Sequence, residues 1–429
     1  MNRTIGLTAL LLFVSVMPVR AQQARQNLSL KRCYQLAREN HPVMKQSRYY
    51  KEVSALQKKN AAAGLLPRLS FAGMSRYQSD VTSVSLDMPR GSFIQGISIP
   101  EPDKDQHSLT LQVDQVIFDG NIARYTKEYA QKQLAANLQA VEVSFLEVKQ
   151  SINRAYFGLL FSREKVKLLK TIQQDLYVQR GRIASMVKNG LLLEDDLDAV
   201  DARVLENEAG LYEAHMQARQ SAEALEKLTG AQVTGPVAVP DISIAKGGPA
   251  KNPALLLFER QITGLETAAR MENSKRLPII AAYARAGYGK PGLNMLSNTF
   301  DTYYTAGIQC RWNMWDWGVT RRRKQQLSLK QNIIASSEAA WSKGLAISFG
   351  HLEKEIDVLR FAIESDRKLV AIRTRMQKRA ESQLSNGTIT TAEYIRQLSD
   401  VQRAEINLRM HEIELLQKKA AYQTLKGEL

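Results

Sequence analysis

Hydrophobic and polar residues alternate along this chain in two periods, and each period occurs twice. Between Ser108 and Phe118, Leu109, Leu111, Val113 and Ile117 oppose Ser108, Thr110, Gln112 and Asp114, the period-two signature of a strand with one apolar and one wet face. A second copy, displaced by 197 residues, sets Ala306, Ile308, Cys310, Trp312 and Met314 against Thr305, Gly307, Gln309, Arg311 and Asn313. The segments Arg68 to Tyr77 and Ile279 to Tyr288 supply further strands, so the pattern predicts two hairpins of two strands each. In both copies the phase puts Leu111 and Ile308 on the apolar face and Gln112 and Gln309 on the polar one.

The other period is helical. Leu134, Leu138, Val141, Phe145, Val148, Ile152, Ala155 and Leu159 recur at alternating steps of four and three, a heptad seam. Leu345, Phe349, Leu352, Ile356, Leu359, Ile363 and Val370 form the second one. At about 1.5 Å per residue, Asn121 to Lys188 extends roughly 100 Å, so these helices must pack lengthwise against neighbours. Each turns at an Asn-Gly pair, 189–190 and 386–387, and returns as Glu194 to Lys227 and Thr391 to Lys426; glycine suits the left-handed conformation that ends a helix. Shorter helices precede the strands. One follows Ser29, runs to about Glu39 and stops at Asn40-His41-Pro42; another runs from Val43 to about Gly64, ahead of Leu65-Leu66-Pro67, because proline lacks the amide hydrogen and biases its predecessor away from helix.

The duplication keeps a ruler. Asp119 and Asp316, Gly190 and Gly387, and Leu228 and Leu425 are all 197 apart, whereas Pro42 and Pro253, and Pro67 and Pro278, are 211 apart. The first copy therefore holds 14 extra residues between Pro67 and Asp119, in a stretch rich in Ser, Asp, Gly and Pro that reads as a tolerant surface loop. The expected division is a leader over 1–21, a first repeat over 22–229, a linker over 230–252 and a second repeat over 253–429.

Arg3, an uncharged run to Val19, and Val19-Arg20-Ala21 read as a signal peptide cleaved after Ala21, so the mature chain is expected outside the cytosol. Its first cysteine is Cys33, not the residue after the cleavage site, which argues against an N-terminal lipid anchor. The chain has 59 basic and 43 acidic residues. That excess is spread along long helices, not gathered in an aromatic-laced motif, and export also argues against nucleic acid. Cys33 and Cys310 fall on distant elements and are not expected to pair. The histidines have no metal spacing, and no phosphate loop, zinc-hydrolase motif or nucleophile elbow is present, so neither catalysis nor a cofactor has candidate residues.

Within a bilayer every backbone polar group must be paired, so strands span it only as closed barrels, the smallest with eight strands. Four cannot close alone; three copies give twelve, apolar face to lipid and polar face to water. With its Leu-x-Leu opening, Asn40-His41-Pro42, the Leu-Pro exit into a strand, the aromatic-Asp-Gly turn, the Asn-Gly tips and the duplication, the chain resembles the TolC-like outer membrane efflux proteins. That resemblance implies a mainly α fold with a membrane β-barrel. It also implies a homotrimer with a twelve-stranded barrel in outer membrane lipid and a twelve-helix tunnel through the periplasm. The family works with a periplasmic adaptor protein and an inner-membrane pump, of RND or ABC type. It is a passive duct and not an enzyme. A type I protein-secretion conduit shares this architecture. A periplasmic structural coiled-coil protein explains the heptads but not the strands. One departure stands out: Asp316-Trp317-Gly318 has a residue before its glycine that Asp119-Gly120 lacks.

The tips would form the inner mouth. Asp196 and Glu393 each follow a tip glycine by six residues, so three chains would offer six carboxylates around one opening, with Glu194, Asp195 and Asp198 nearby. A ring of acids attracts cations; equally, acids in a first helical turn simply favour the helix dipole. Arg396 stands close enough in sequence to offset the ring. Arg180, Arg182 and Lys188, and Arg373, Arg375, Lys378 and Arg379, either pair with those acids or are solvated. Gly190, Leu191, Leu192, Gly387, Thr388 and Ile389 are where the resemblance places adaptor contact. Trp312, Trp315 and Trp317 fit a membrane boundary, which amphipathic rings favour.

Overall fold

The computed structural model describes residues 28–83, 101–233, 235–244 and 251–428. The expected leader lies outside these, as does most of the longer loop of the first copy. The elements run α1 (Leu30–Asn40), α2 (Pro42–Ala63), β1 (Arg68–Tyr77), β2 (Asp105–Phe118), α3 (Ile122–Lys188), α4 (Glu194–Thr229), α5 (Pro253–Ser274), β3 (Ile279–Lys290), β4 (Asp301–Arg311), α6 (Val319–Ser385) and α7 (Thr391–Lys426). Helices α3 and α6 have 67 residues each, and α4 and α7 have 36 each.

The proline breaks act as expected. Pro42 and Pro253 each take the first position of a helix, where a missing amide costs nothing, and His41 and Asn252 cap those starts. Helix α3 buries Val141, Phe145, Val148, Ile152 and Leu159 of its seam; α6 buries Leu345, Ile356, Leu359 and Ile363. A core around Phe145, Ile152, Tyr156, Phe157 and Leu225 joins α1, α3, α4 and α7. Within it the Tyr34 hydroxyl donates to Asn153, whose amide donates to Thr424 at 3.0 Å. Tyr156 ties the segment before α1 to the chain after α4, its hydroxyl lying 2.9 Å from the Leu28 carbonyl oxygen and 2.6 Å from that of Ala238. Cys33 is buried in this core and Cys310 is exposed on β4; both are free. Burial pushes the Cys33 thiol up to about 12.

All four strands form one antiparallel sheet in the order β1-β2-β3-β4. The register aligns Phe71, Leu111, Ala286 and Tyr304 across it, and one residue along it aligns Ser70, Gln112, Arg285 and Thr305. Leu111 and Ile308 therefore share a face, and Gln112 and Gln309 share the other. The alternation expected to run through Met314 ends sooner, at Arg311, whose partner Ile279 directly follows Pro278. Trp312 leaves the ladder and donates its indole N–H to the Arg276 carbonyl at 3.0 Å.

The two strand-to-helix turns prove equivalent, which corrects the apparent extra residue. Gly120 and Asn121 have φ of 71° and 67°; Trp317 and Gly318, 197 positions on, have 52° and 76°. Both turns use two consecutive left-handed residues, with the glycine merely exchanged between the two places. Asp119 and Asp316 hold them alike, accepting the backbone N–H of Ala123 at 2.6 Å and of Thr320 at 2.8 Å. Gly120 has a second constraint: a Cβ there would lie 2.8 Å from the Ser274 carbonyl oxygen.

Candidate functional site: hairpin tips and sheet wall

Each long helix ends in the same way. Gly190 and Gly387 adopt φ of 72° and 67°. The Leu191 and Thr388 amides then reach back to the Met186 and Gln383 carbonyls, both at 2.9 Å, which satisfies carbonyls left over at a helix end. Beyond the glycines the side chains diverge. Leu191 is 69% exposed and Leu193 72%, whereas Leu192 and Ile389 pack against the tip core of Leu176, Ile183, Val200, Leu384 and Tyr394. Thr388 is exposed and bonds back to Gln383 through its hydroxyl at 3.0 Å. Leu193 went unnamed in the sequence because it precedes an acidic helix start, yet it is the second apolar side chain offered at this tip.

The candidate acids occupy matched first-turn positions. Asp196 accepts the backbone N–H of Leu193 at 3.1 Å, capping α4. Glu393 is exposed and pairs with Arg396 at 3.2 Å. Three of the basic residues upstream meet other partners. Arg180 binds both oxygens of Asp201, Arg182 reaches Glu381 at 3.2 Å across the two hairpins, and Arg373 meets Asp400 at 2.9 Å. Hydrogen bonding by Arg180 holds the Asp201 carboxyl below its usual value. The Arg180 and Arg182 pairs are solvent-exposed, where ion pairs add little to stability. Between the hairpins, Tyr394 is 1% exposed; burial raises its pKa, against the opposing effect of its side-chain contact with Gln377. No group of ligating side chains able to hold a metal occurs among the described residues.

At the other end of the long helices stands the sheet. Its first face carries Leu69, Phe71, Leu109, Leu111, Val113, Tyr304 and Ile308, many of them exposed. On its second face Arg285 donates to the Gln112 side-chain Oε1 at 3.0 and 2.8 Å, and the Gln112 Nε2 donates to Asp114 at 2.8 and 2.9 Å. Such a sheet cannot close on itself, since β1 and β4 both remain unpaired edges and only an oligomer joins them.

A two-faced open sheet borne on helical hairpins of roughly 100 Å defines a channel-building protomer. Residues 33–231, from α1 to just past α4, match the family described as Outer membrane efflux protein. No curated protein matches the chain. Solved structures match it over nearly its whole length. CusC, studied for transmembrane channel formation, superimposes with a TM-score of 0.72 at 10% identity over 92% of this chain and 91% of its own. VceC from Vibrio cholerae gives 0.68 at 15%, covering 93% and 96%. The Campylobacter jejuni CmeC outer membrane channel gives 0.66 at 14%, covering 93% and 85%. These identities speak for the fold alone, second repeat included; the match over the first repeat carries the class. Residues 33–231 thus resemble the outer membrane efflux family, and the whole chain has the fold of outer membrane channels.

Proposed function

We propose that three copies of this chain form the passive exit duct of a tripartite efflux system, receiving cargo from an inner-membrane pump of RND or ABC type through a periplasmic adaptor. The observation that carries this reading is the pair of unpaired edges with the helices that flank them. On the β1 side, α2 exposes Tyr49, Val53 and Leu56; on the β4 side, α6 exposes Leu329, Ile333, Ile347, Val358 and Phe361. Single exposed apolar residues are ordinary, but two long stripes beside two open strand edges mark surfaces made for contact. The stripes differ from one another, so the contact is head to tail and closes as a ring.

Ring size follows from the barrel. Two copies would close eight strands, whose interior only just holds side chains, whereas twelve strands leave room for solute. Three copies also bring twelve long-helix segments side by side as the tunnel wall. The tips then ring the periplasmic mouth, where Asp196 and Glu393 would supply six carboxylates. Gly190, Leu191, Leu192, Gly387, Thr388 and Ile389, together with exposed Leu193, would meet the adaptor. The linker at 230–252 would wrap the tunnel between the repeats. Native mass measurement on detergent-extracted protein is expected to give three chains per particle; a stable folded monomer would sink the duct.

A further inference from the structure

The wet face of the sheet has a definite charge. Register assigns it Arg68 and Arg76 from β1, Asp114 from β2, Arg285 from β3, and Asp301 and Arg311 from β4. Four arginines against two aspartates leave an excess of two positive charges per chain. The opposite face has no charged residue among its paired positions except Asp105, His107 and Lys290 at the loop end. The basic excess is thus confined to the surface that faces water.

Arg68 stands directly across the register from Asp114, but the other arginines have less to offset them. Arg76 and Arg285 donate to the neutral amides of Gln106 and Gln112, which fix their guanidinium groups without cancelling charge. Arg68 and Arg311, with Gln309 and Asp114, line a concavity of about 290 Å³ on this face near the helices. Higher up, Tyr303 covers Gly287 and Tyr283 covers Gly307; a Cβ on either glycine would fall 2.3 Å or 2.9 Å from the ring that covers it. The tyrosines therefore lie flat on the wall beside the arginines.

We propose that the barrel interior is an anion-attracting exit filter, favouring solutes that carry carboxylate, sulfonate or phosphate groups. The proposal rests on the oligomeric duct above. Twelve strands about 4.8 Å apart and tilted by about 40° enclose a backbone cylinder of roughly 12 Å radius. Side chains narrow it further, so any solute passes within about one Debye length, about 8 Å at physiological salt, of the arginine heads. A low-dielectric wall of one sign focuses its potential into the passage. Such a filter acts at the far end from the acidic mouth and with the opposite sign.

The test compares wild-type protein with Arg68→Gln/Arg285→Gln/Arg311→Gln in planar bilayers under a potassium chloride gradient, with Arg285→Gln alone and Arg285→Glu as further variants. Removing the guanidinium groups is expected to shift the reversal potential toward that of a cation pore and to lower the chloride-to-potassium permeability ratio severalfold. Arg285→Glu should shift it further than Arg285→Gln. Lumen positions should tolerate these changes in assembly; if the triple variant does not assemble, the two single variants decide. Variants that conduct with wild-type reversal potentials would overturn the filter and leave the duct standing. A wild type that inserts without forming any conducting path would overturn the duct, and the filter with it.

Discussion

Arginine at Leu111 should block assembly, and its cost can be worked from the sheet. Leu111 lies six residues after Asp105 and seven before Phe118 on β2. With a rise of about 3.3 Å per residue and a tilt near 40°, each residue advances about 2.5 Å along the membrane normal. Leu111 is then about 15 Å from either end of its strand, near the midplane, beside Phe71 and Ala286 and in line with Tyr304. Arginine facing lipid at that depth costs about 2 to 4 kcal/mol per chain, or roughly 6 to 12 kcal/mol over three chains. Ile308 shares the face but lies three residues before Arg311, where β4 ends. That is only about 8 Å from the strand end, so Ile308→Arg should cost only about 0 to 1 kcal/mol. Gln112→Arg points to water and should assemble, although Arg285 loses its acceptor. Outer membrane fractions run unheated on gels would report the oligomer for all three. Equal assembly of Leu111→Arg and Gln112→Arg, or a larger loss at Ile308 than at Leu111, would refute the assignment of faces and depth.

Two further outcomes follow from the periplasmic half. Asp196→Asn with Glu393→Gln should lower cation preference in single-channel recordings, most at low salt where screening is weak; if selectivity stays at the wild-type value in assembled protein, these acids serve only the Leu193 cap and the Arg396 pair. Burial on α7 raises the pKa of Glu405 against the opposing pull of Arg409. A carboxyl whose folded pKa is raised costs stability above that value and is relieved as pH falls through it. Glu405→Gln should therefore melt above wild type at pH 8, with the difference vanishing as pH falls toward about 4.3, the ordinary glutamate value; a variant melting lower at pH 8 would contradict this.

Periodicity by itself determined the parts. A two-residue period cannot be read as helix, nor a heptad as strand, so the four strands, the two long hairpins and the in-phase faces of Leu111 and Ile308 were legible. Pro42, Pro67 and the Asn-Gly pairs marked where each element stops, because proline's missing amide and glycine's freedom at positive φ act locally. What the chain does with its polar groups was not legible, since that depends on neighbours distant in sequence. Asp196 turned out to cap Leu193, Arg180 met Asp201 rather than an acid at the mouth, and Leu192 turned inward while Leu193 turned out. The end of β4 at Arg311 was decided by Pro278 across the sheet, and Trp317 proved equivalent to Gly120 only once both turns were folded. The gathering of Arg68, Arg285 and Arg311 on one wall is likewise a product of strand register, which places residues from three strands on one surface and which no single strand's alternation contains.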